Sequence, residues 1–151
     1  MKKTFLLTTV LGLLLFTTQS SFSPVDAPDL VKDVLHYTNK FRKSNRLAEL
    51  KINAELNAIA QKHSENMAKG RVRFGHDGFD QRMKKARKAI GGMHTFAENV
   101  AYGARSGKEV VSMWKNSAGH RQNMLGNYRY IGIGTAKDKR GKIYYTEVFA
   151  N

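Results

Sequence analysis

The stretch that decides the fold class is "YIGIGTAKDKRGKIYYTEVF", from Tyr130 to Phe149. It contains two runs rich in β-branched and aromatic residues, separated by a charged segment that ends at Gly141. Two such runs joined by a glycine-containing turn predict a β-hairpin. The fold class therefore depends on whether the preceding chain is helical or extended.

The preceding chain has helical periodicity. Apolar residues recur every three to four positions over 30–41 and again over 56–67, which predicts two amphipathic helices. Asp29 and Asn53 stand where N-caps are expected, and Gly70 stands where the second helix should end.

A glycine-rich segment at 70–81 predicts a loop, and a basic helical segment follows at 82–90. A further helix is predicted around 110–114, where its apolar side includes Trp114. Helices dominate the first two thirds of the chain and strands the last third, so the predicted fold class is α+β.

The N-terminus has the pattern of a secretory signal peptide. Lys2 and Lys3 precede an apolar run from Phe5 to Phe16, and small polar residues follow. The run is shorter than the ~20 apolar residues that a membrane-spanning helix needs. We predict a signal peptide over 1–27, cleaved near 21–27, and one domain over 28–151 that is secreted or periplasmic and has no transmembrane span after cleavage. The sequence has no cysteine, so it can form no disulfide, and this favours a bacterial origin.

The chain is strongly basic, with 26 Lys and Arg against 12 Asp and Glu and a formal net charge of +14. Such a charge attracts anionic polymers and anionic membrane surfaces. The densest group of cations is a candidate anion-binding patch formed by Arg82, Lys84, Lys85, Arg87 and Lys88. The alternative interpretation of this patch is an ordinary solvated helix face.

Three side chains have the chemistry of a functional site: His76, Glu98 and His120. Two imidazoles and a carboxylate can hold Zn²⁺ with one position open for water. Alternatively, the carboxylate can accept a hydrogen bond from one histidine and fix its tautomer. Their sequence spacing does not choose between these arrangements. His63, on the apolar face of its helix, is expected to be a hydrogen-bonded core residue.

Six segments in order resemble the CAP superfamily, also called SCP/TAPS, which includes cysteine-rich secretory proteins, antigen 5 and pathogenesis-related proteins of group 1. The resemblance covers about residues 30–151 and is closest to the short, cysteine-free bacterial branch. The segments are "LNAIAQKHSENMA" (56–68), "GH" (75–76), "AENVAYG" (97–103), "WKNSAGHRQNML" (114–125), "YIGIG" (130–134) and "YYTEVFAN" (144–151).

The resemblance implies a three-layer α-β-α sandwich with a central antiparallel sheet and an open cleft that carries a tetrad of two His and two Glu. His76, Glu98 and His120 match three members of that tetrad. The fourth position falls on Ser117, which has neither the charge nor the chelating ability of a carboxylate. Glu147 is the candidate substitute, although a strand residue so near the C-terminus can simply face solvent.

The same motifs supply the rest of a predicted ligand cleft, which consists of His76, Glu98, Asn99, Ser117 and His120. We expect Asn99 to hydrogen-bond backbone in a turn. Arg121 is expected to pair with Glu98 or to bridge the loop. Phe96, Tyr102 and Trp114 are expected in the core or the cleft wall.

Three functions are compatible with this sequence. The first, favoured by the loss of a carboxylate at Ser117, is a non-catalytic extracellular binding module for a lipid, sterol, anionic glycan or protein. The second is a protease-like hydrolase, assisted by a metal such as Zn²⁺ held by His76 and His120, or using Glu98 and a histidine as base and acid. The third is binding of an anionic surface by segment 82–90. Nucleic acid is a disfavoured partner, because the chain is predicted to be exported and has no recognised binding motif.

Overall fold

The computed structural model describes residues 27–151, so the predicted signal peptide lies, apart from Ala27, outside the described residues. The described part contains five helices and four strands. They are α1 (Ala27–Ser44), β1 (Lys51–Ile52), α2 (Ala54–Ala68), α3 (Phe79–Ala89), β2 (Phe96–Tyr102), α4 (Gly107–Lys115), α5 (Ala118–Met124), β3 (Tyr130–Lys137) and β4 (Ile143–Ala150). Among residues 27–151, none of the helices combines the length and the apolar character that crossing a membrane requires.

The four strands form one sheet in the order β1-β3-β4-β2. Strands β3 and β4 form the predicted hairpin, and β4 also pairs antiparallel with β2. The short strand β1 is the exception, because it pairs parallel with the first residues of β3. Sequence periodicity does not reveal β2, since both of its faces are buried and polar residues do not alternate with apolar ones along it.

The helices cover both faces of the sheet and make a three-layer α-β-α sandwich, as predicted. Helices α1, α4 and α5 enclose one apolar cluster, whose large members include Trp114, Tyr145 and Phe149. Helices α2 and α3 cover the other face, over a smaller cluster that includes Leu56, Ala86 and Val148. The chain therefore has a separate apolar core on each side of the sheet.

Helix α2 lies unusually close to β3. A Cβ atom at Gly132 would overlap the backbone of Leu56, and one at Gly134 would overlap the backbone of Ala60 and Gln61. The alternation "YIGIG" explains this approach, because the glycines face α2 while Ile131 and Ile133 point into the opposite core.

Beyond the end of β1, side chains of α2 form the hydrogen bonds with β3 that a neighbouring strand would otherwise form. The Asn57 side-chain carbonyl accepts from the Ile133 amide at 2.8 Å. Gln61 both accepts from the Thr135 amide and donates to the Thr135 carbonyl, each at 3.0 Å. The edge of β3 is thus hydrogen-bonded by a helix where no strand continues.

Helix starts match the sequence signals with two corrections, of which the first is that α3 begins at Phe79, inside the segment 70–81 predicted as a loop. Asn53 caps α2, since its side chain accepts from the Leu56 amide. The cap predicted at Asp29 is wrong, because α1 already begins at Ala27 and Asp29 lies in its first turn. A carboxylate there still interacts favourably with the helix dipole.

Candidate functional site

Glu98 lies at the centre of the candidate site. It sits in β2, its side chain is fully buried, and it faces α2 and α3. Arg82 of α3 holds both carboxylate oxygens, with Nε donating to Oε2 at 2.6 Å and Nη2 donating to Oε1 at 2.7 Å. His76 donates from Nδ1 to Oε1 at 2.8 Å. Both oxygens of the carboxylate therefore accept hydrogen bonds, from a bidentate arginine and an imidazole.

The loop between α2 and α3 is fixed by a second histidine. Buried His63 donates from Nε2 to the Gly75 carbonyl at 2.8 Å, and the same nitrogen lies 3.9 Å from Oε1 of Glu98. Burial lowers the pKa of His63 more than the Gly75 carbonyl and the Glu98 charge raise it. His63 thus positions Gly75 and, through it, the adjacent His76, in addition to its predicted place in the core.

His76 is oriented for contact with solvent. Its Nδ1 is used by Glu98, while the side chain as a whole remains 51% exposed. A carboxylate that accepts from Nδ1–H fixes the tautomer of a histidine and leaves Nε2 available to an incoming ligand. The sequence suggested that a histidine would donate a hydrogen bond to the Glu98 carboxylate. The structure contains this bond, and His76 is the histidine that makes it.

His120 lies on α5, which is tied to β2 from the face opposite to Glu98. Asn99 donates from Nδ2 to the His120 carbonyl at 3.1 Å, and its own Oδ1 accepts from Asn123 at 2.9 Å. Burial lowers the pKa of the His120 imidazole, and the nearby His76 charge lowers it further. The two imidazoles are thus within electrostatic reach of each other, although only His76 contacts Glu98.

The turn predicted for Asn99 is wrong, because Asn99 is a buried residue of β2. Its predicted bond to backbone exists, but the bond joins the strand to α5. Neighbouring carbonyls of β2 are also held by helices, since Asn123 donates to the Glu98 carbonyl and Trp114 donates to the Val100 carbonyl. These bonds fix the helix that carries His120 against the strand that carries Glu98.

The structure places the remaining motif residues outside the Glu98 network. Ser117 is half-buried at the N-cap of α5, where its side chain makes no capping bond. Arg121 bridges the loop by donating to the Lys115 carbonyl at 3.2 Å, and Arg82 takes the place beside Glu98 that Arg121 was expected to fill. Trp114 belongs to the core, whereas Tyr102 is exposed.

Glu147 does not face solvent, in contrast to the expectation for a strand residue near the C-terminus. It is fully buried on the face of the sheet opposite to Glu98, paired across the strands with Asn99. Thr38 of α1 donates to its Oε1 at 2.7 Å, while Oε2 has no partner among the described residues. Burial raises its pKa to about 8, against the lowering effect of the Thr38 hydroxyl, the Asn99 amide and the Arg42 charge.

The described residues do not fit a zinc site of the predicted kind. Among residues 27–151, no group of three or more His, Cys, Asp or Glu side chains is arranged to hold a metal ion. Arg82 and His76 engage the Glu98 carboxylate, and Glu147 lies on the opposite face of the sheet. His76 and His120 alone supply fewer than the three protein ligands of a catalytic zinc centre.

The predicted anion-binding patch needs one correction. Arg82 is not free for an anionic partner, because its guanidinium is committed to Glu98 and its side chain is only 11% exposed. The basic face of α3 therefore consists of the exposed residues Lys84, Lys85, Arg87 and Lys88. Sequence reasoning missed the ion pair, since a cation within a basic helix gives no sign of a buried partner on a distant strand.

A groove of about 490 Å³ lies beside this network, between α2 and α3. His63 and Arg82 line it, together with the apolar side chains of Ile59 and Val72 and the cations Lys62 and Lys85. The Glu98 network thus separates this groove from β2.

The family model described as "Cysteine-rich secretory protein family" matches residues 35–149, and the chain belongs to this family, the CAP family. Among curated proteins it is similar to the uncharacterized protein YkwD of Bacillus subtilis, with 36% identity over 126 residues that cover 78% of this chain and 46% of the relative. The uncharacterized membrane protein YlbC of the same bacterium is 32% identical, with 78% and 33% covered. The chain therefore spans less than half the length of these two relatives.

Solved structures support the same fold. A cysteine-rich secretory protein from Staphylococcus aureus is 28% identical, with a TM-score of 0.68 and 83% of this chain and 39% of that chain covered. An extracellular SCP-domain protein from Bacillus anthracis is 24% identical, with a TM-score of 0.70 and 82% and 40% covered. The outer surface protein from Borrelia burgdorferi has a TM-score of 0.70 at 20% identity, with 84% and 96% covered.

Proposed function

We propose that this CAP domain is a non-catalytic extracellular binding module. The observation that carries the proposal is the engagement of Glu98, whose two oxygens are held by Arg82 and His76 in a fully buried position. A general base must be within hydrogen-bond reach of the proton that it removes, and the Glu98 side chain has no exposed surface at which a substrate could meet it. Glu98 serves to orient His76, which stays half exposed to solvent.

The binding surface has two parts. The first is the cleft beside β2, where the half-exposed His76 contacts the buried Glu98 and His120 lies on the neighbouring helix α5. The second is the basic face of α3, whose four cations lie on the next element along the chain from His76. An extracellular location is supported by the predicted signal peptide and by the similarity to a secretory protein, an extracellular protein and an outer surface protein of other bacteria.

Heparin is a suitable anionic probe for the basic face. We expect residues 28–151 to bind heparin with an affinity that falls on the order of tenfold or more between 50 and 200 mM salt, because binding releases condensed counterions. Replacing Lys84, Lys85, Arg87 and Lys88 by Ala should weaken binding and flatten the salt dependence. The matched control replaces four exposed lysines on other helices, Lys32, Lys40, Lys43 and Lys108.

An equal loss of heparin affinity in both quadruple variants would show that net charge, and not the basic face of α3, attracts the anion. Affinity that does not change with salt would also contradict the proposal. Calorimetric titration at several salt concentrations measures the heparin affinity of each variant and its dependence on salt.

A hydrolase remains the second candidate, and the His76–Glu98 hydrogen bond is the observation that favours it. A carboxylate that orients a histidine through Nδ1 is a recurring arrangement in acyl-transfer sites. Turnover of a fluorescent casein or an ester, with and without added Zn²⁺, distinguishes the two functions. We expect no turnover above buffer; activity that His76→Ala abolishes would replace the binding proposal by the hydrolase.

A further inference from the structure

Three aromatic side chains from different segments meet at the far end of the β2–β4 pair. Phe74 of the α2–α3 loop packs edge-on against Tyr102, with 4.6 Å between ring centroids, and Tyr144 lies 5.7 Å from Tyr102 and 6.5 Å from Phe74. Phe74 is 47% exposed and Tyr102 is 44% exposed. We call Phe74, Tyr102 and Tyr144 the aromatic platform.

The platform differs from ordinary surface apolar residues. The other large exposed apolar side chains of the described residues, Ile52 and Met113, lie singly on β1 and α4. Single exposed apolar residues are normal, whereas contiguous ones indicate a contact surface. Three rings held against one another also lose little conformational freedom when a ligand binds.

The platform is continuous with the cleft at His76. Tyr102 lies four residues after Glu98 on the same face of β2, which corresponds to about 13 Å along the strand. The loop bridges this distance, because Phe74 contacts Tyr102 while His76, two residues later, contacts Glu98. A ligand that touches both positions must be extended.

Two cationic side chains, those of Lys142 and Arg73, lie close to the rings. The Lys142 ammonium lies 4.7 Å from the centroid of the Tyr102 ring, and the Arg73 side chain beside Phe74 is 89% exposed. Two of the three rings carry phenolic hydroxyl groups. Aromatic faces that stack on the C–H face of a pyranose, hydroxyls that bond its hydroxyls and an ammonium that pairs with a carboxylate together fit an acidic sugar.

A membrane fits this surface less well. Helices that insert into a bilayer interface present a broad apolar face with cations on the opposite, polar face. Here only one of the three rings is purely apolar, and the Lys142 ammonium lies among the rings instead of on an opposite, polar face.

We propose that the aromatic platform, with Lys142, is a subsite for an acidic oligosaccharide that extends towards His76. This inference rests on the proposed binding function and names the chemical class of one ligand. The formal net charge of +14 favours the encounter with such a polyanion.

The test is a calorimetric titration of residues 28–151 with a galacturonate hexasaccharide and, as the uncharged control, maltohexaose. Wild type should bind the galacturonate oligomer and bind maltohexaose more weakly. Phe74→Ala and Tyr102→Ala should each weaken galacturonate binding on the order of fivefold or more, because each removes a stacking ring. Met113→Ala, a matched exposed apolar residue on α4, should leave binding unchanged.

The outcomes separate the platform from the wider proposal. Binding that is insensitive to Phe74→Ala and Tyr102→Ala but lost in the quadruple variant of the basic face would overturn the platform and leave the binding function intact. Absence of galacturonate binding would overturn the platform alone, since the heparin titration tests the wider function. Phe74-dependent binding to phosphatidylglycerol vesicles, without galacturonate binding, would assign the platform to membranes.

Discussion

The carboxylate of Glu98 joins three segments that are far apart in sequence. Arg82 of α3 and His76 of the α2–α3 loop both contact Glu98, and β2 places Glu98 in the core. Such a buried charge is costly unless it is paired, and here the pairing is complete. A single residue therefore contributes both to the position of His76 and to the placement of α3.

Replacing Glu98 by Gln tests this dependence. The charge of Arg82 would remain in a largely buried position without its partner, so we expect the free energy of unfolding to fall by about 3 kcal/mol. The matched control is Asp77→Asn, which breaks the exposed pair with Arg73 and should cost less than about 0.5 kcal/mol. Urea denaturation measures both variants, and equally small losses would mean that the Glu98 pair is not structurally important.

Glu147 makes stability depend on pH in the opposite direction to most carboxylates. Its pKa is about 8 in the folded protein against an ordinary value of 4.5, so folding takes up a proton between these values. The contribution of Glu147 to the free energy of unfolding is therefore greatest below pH 4.5. It falls by up to ~1.4 kcal/mol per pH unit as pH rises and levels off above about pH 8.

The variant Glu147→Gln isolates this effect, because glutamine keeps the acceptor for Thr38 and cannot ionise. We expect the variant to match wild type near pH 4.5 and to be the more stable protein at pH 9. Denaturation curves at several pH values compare the two proteins. A constant stability difference across this range would show that Glu147 does not titrate with a raised pKa.

At the scale of elements, the contact between α2 and β3 places the helix that carries His63. The glycines of "YIGIG" allow the helix backbone to approach the strand, and Asn57 and Gln61 then reach the backbone of β3. The close approach brings the side-chain amides of Asn57 and Gln61 within hydrogen-bonding distance of β3, and their hydrogen bonds hold the helix in place. His63 reaches the Gly75 carbonyl from a helix that has little freedom to shift.

The substitution Gly132→Ala should disrupt this contact. The new methyl group would overlap the α2 backbone, so we expect a loss of at least ~2 kcal/mol in the free energy of unfolding. Gly119→Ala on α5 is the control, since nothing lies within 4 Å of a Cβ there, and it should cause no loss. Thermal unfolding of both variants provides the comparison, and a stable Gly132→Ala protein would mean that α2 can move away from the strand.

Periodicity and turn chemistry predict the elements whose pattern is local. The hairpin, α1, α2 and the Asn53 cap follow from residues close together in sequence. The pairing of His76 with Glu98 follows from the family resemblance. The arginine on Glu98 and the burial of Glu147 depend on contacts between distant segments, which no local pattern records.

At the scale of the whole molecule, the candidate site lies where the two helical layers meet at one side of the sheet. Glu98 and His76 belong to the layer of α2 and α3, while Asn99 anchors His120 in the layer of α5. Strand β2 is the edge strand between them. The site is therefore assembled from both faces of the sheet around one strand, and the aromatic platform continues it along that strand.

The bonds that Trp114 and Asn123 make to the carbonyls of β2 have a consequence for association. An open edge strand invites extension by a strand from another chain, which leads to unwanted polymers. Here two of the carbonyls that such a strand would use are already occupied by helix side chains. A peptide cannot dock on β2 by lengthening the sheet without displacing them, and copies of the domain are discouraged from stacking edge to edge at this strand.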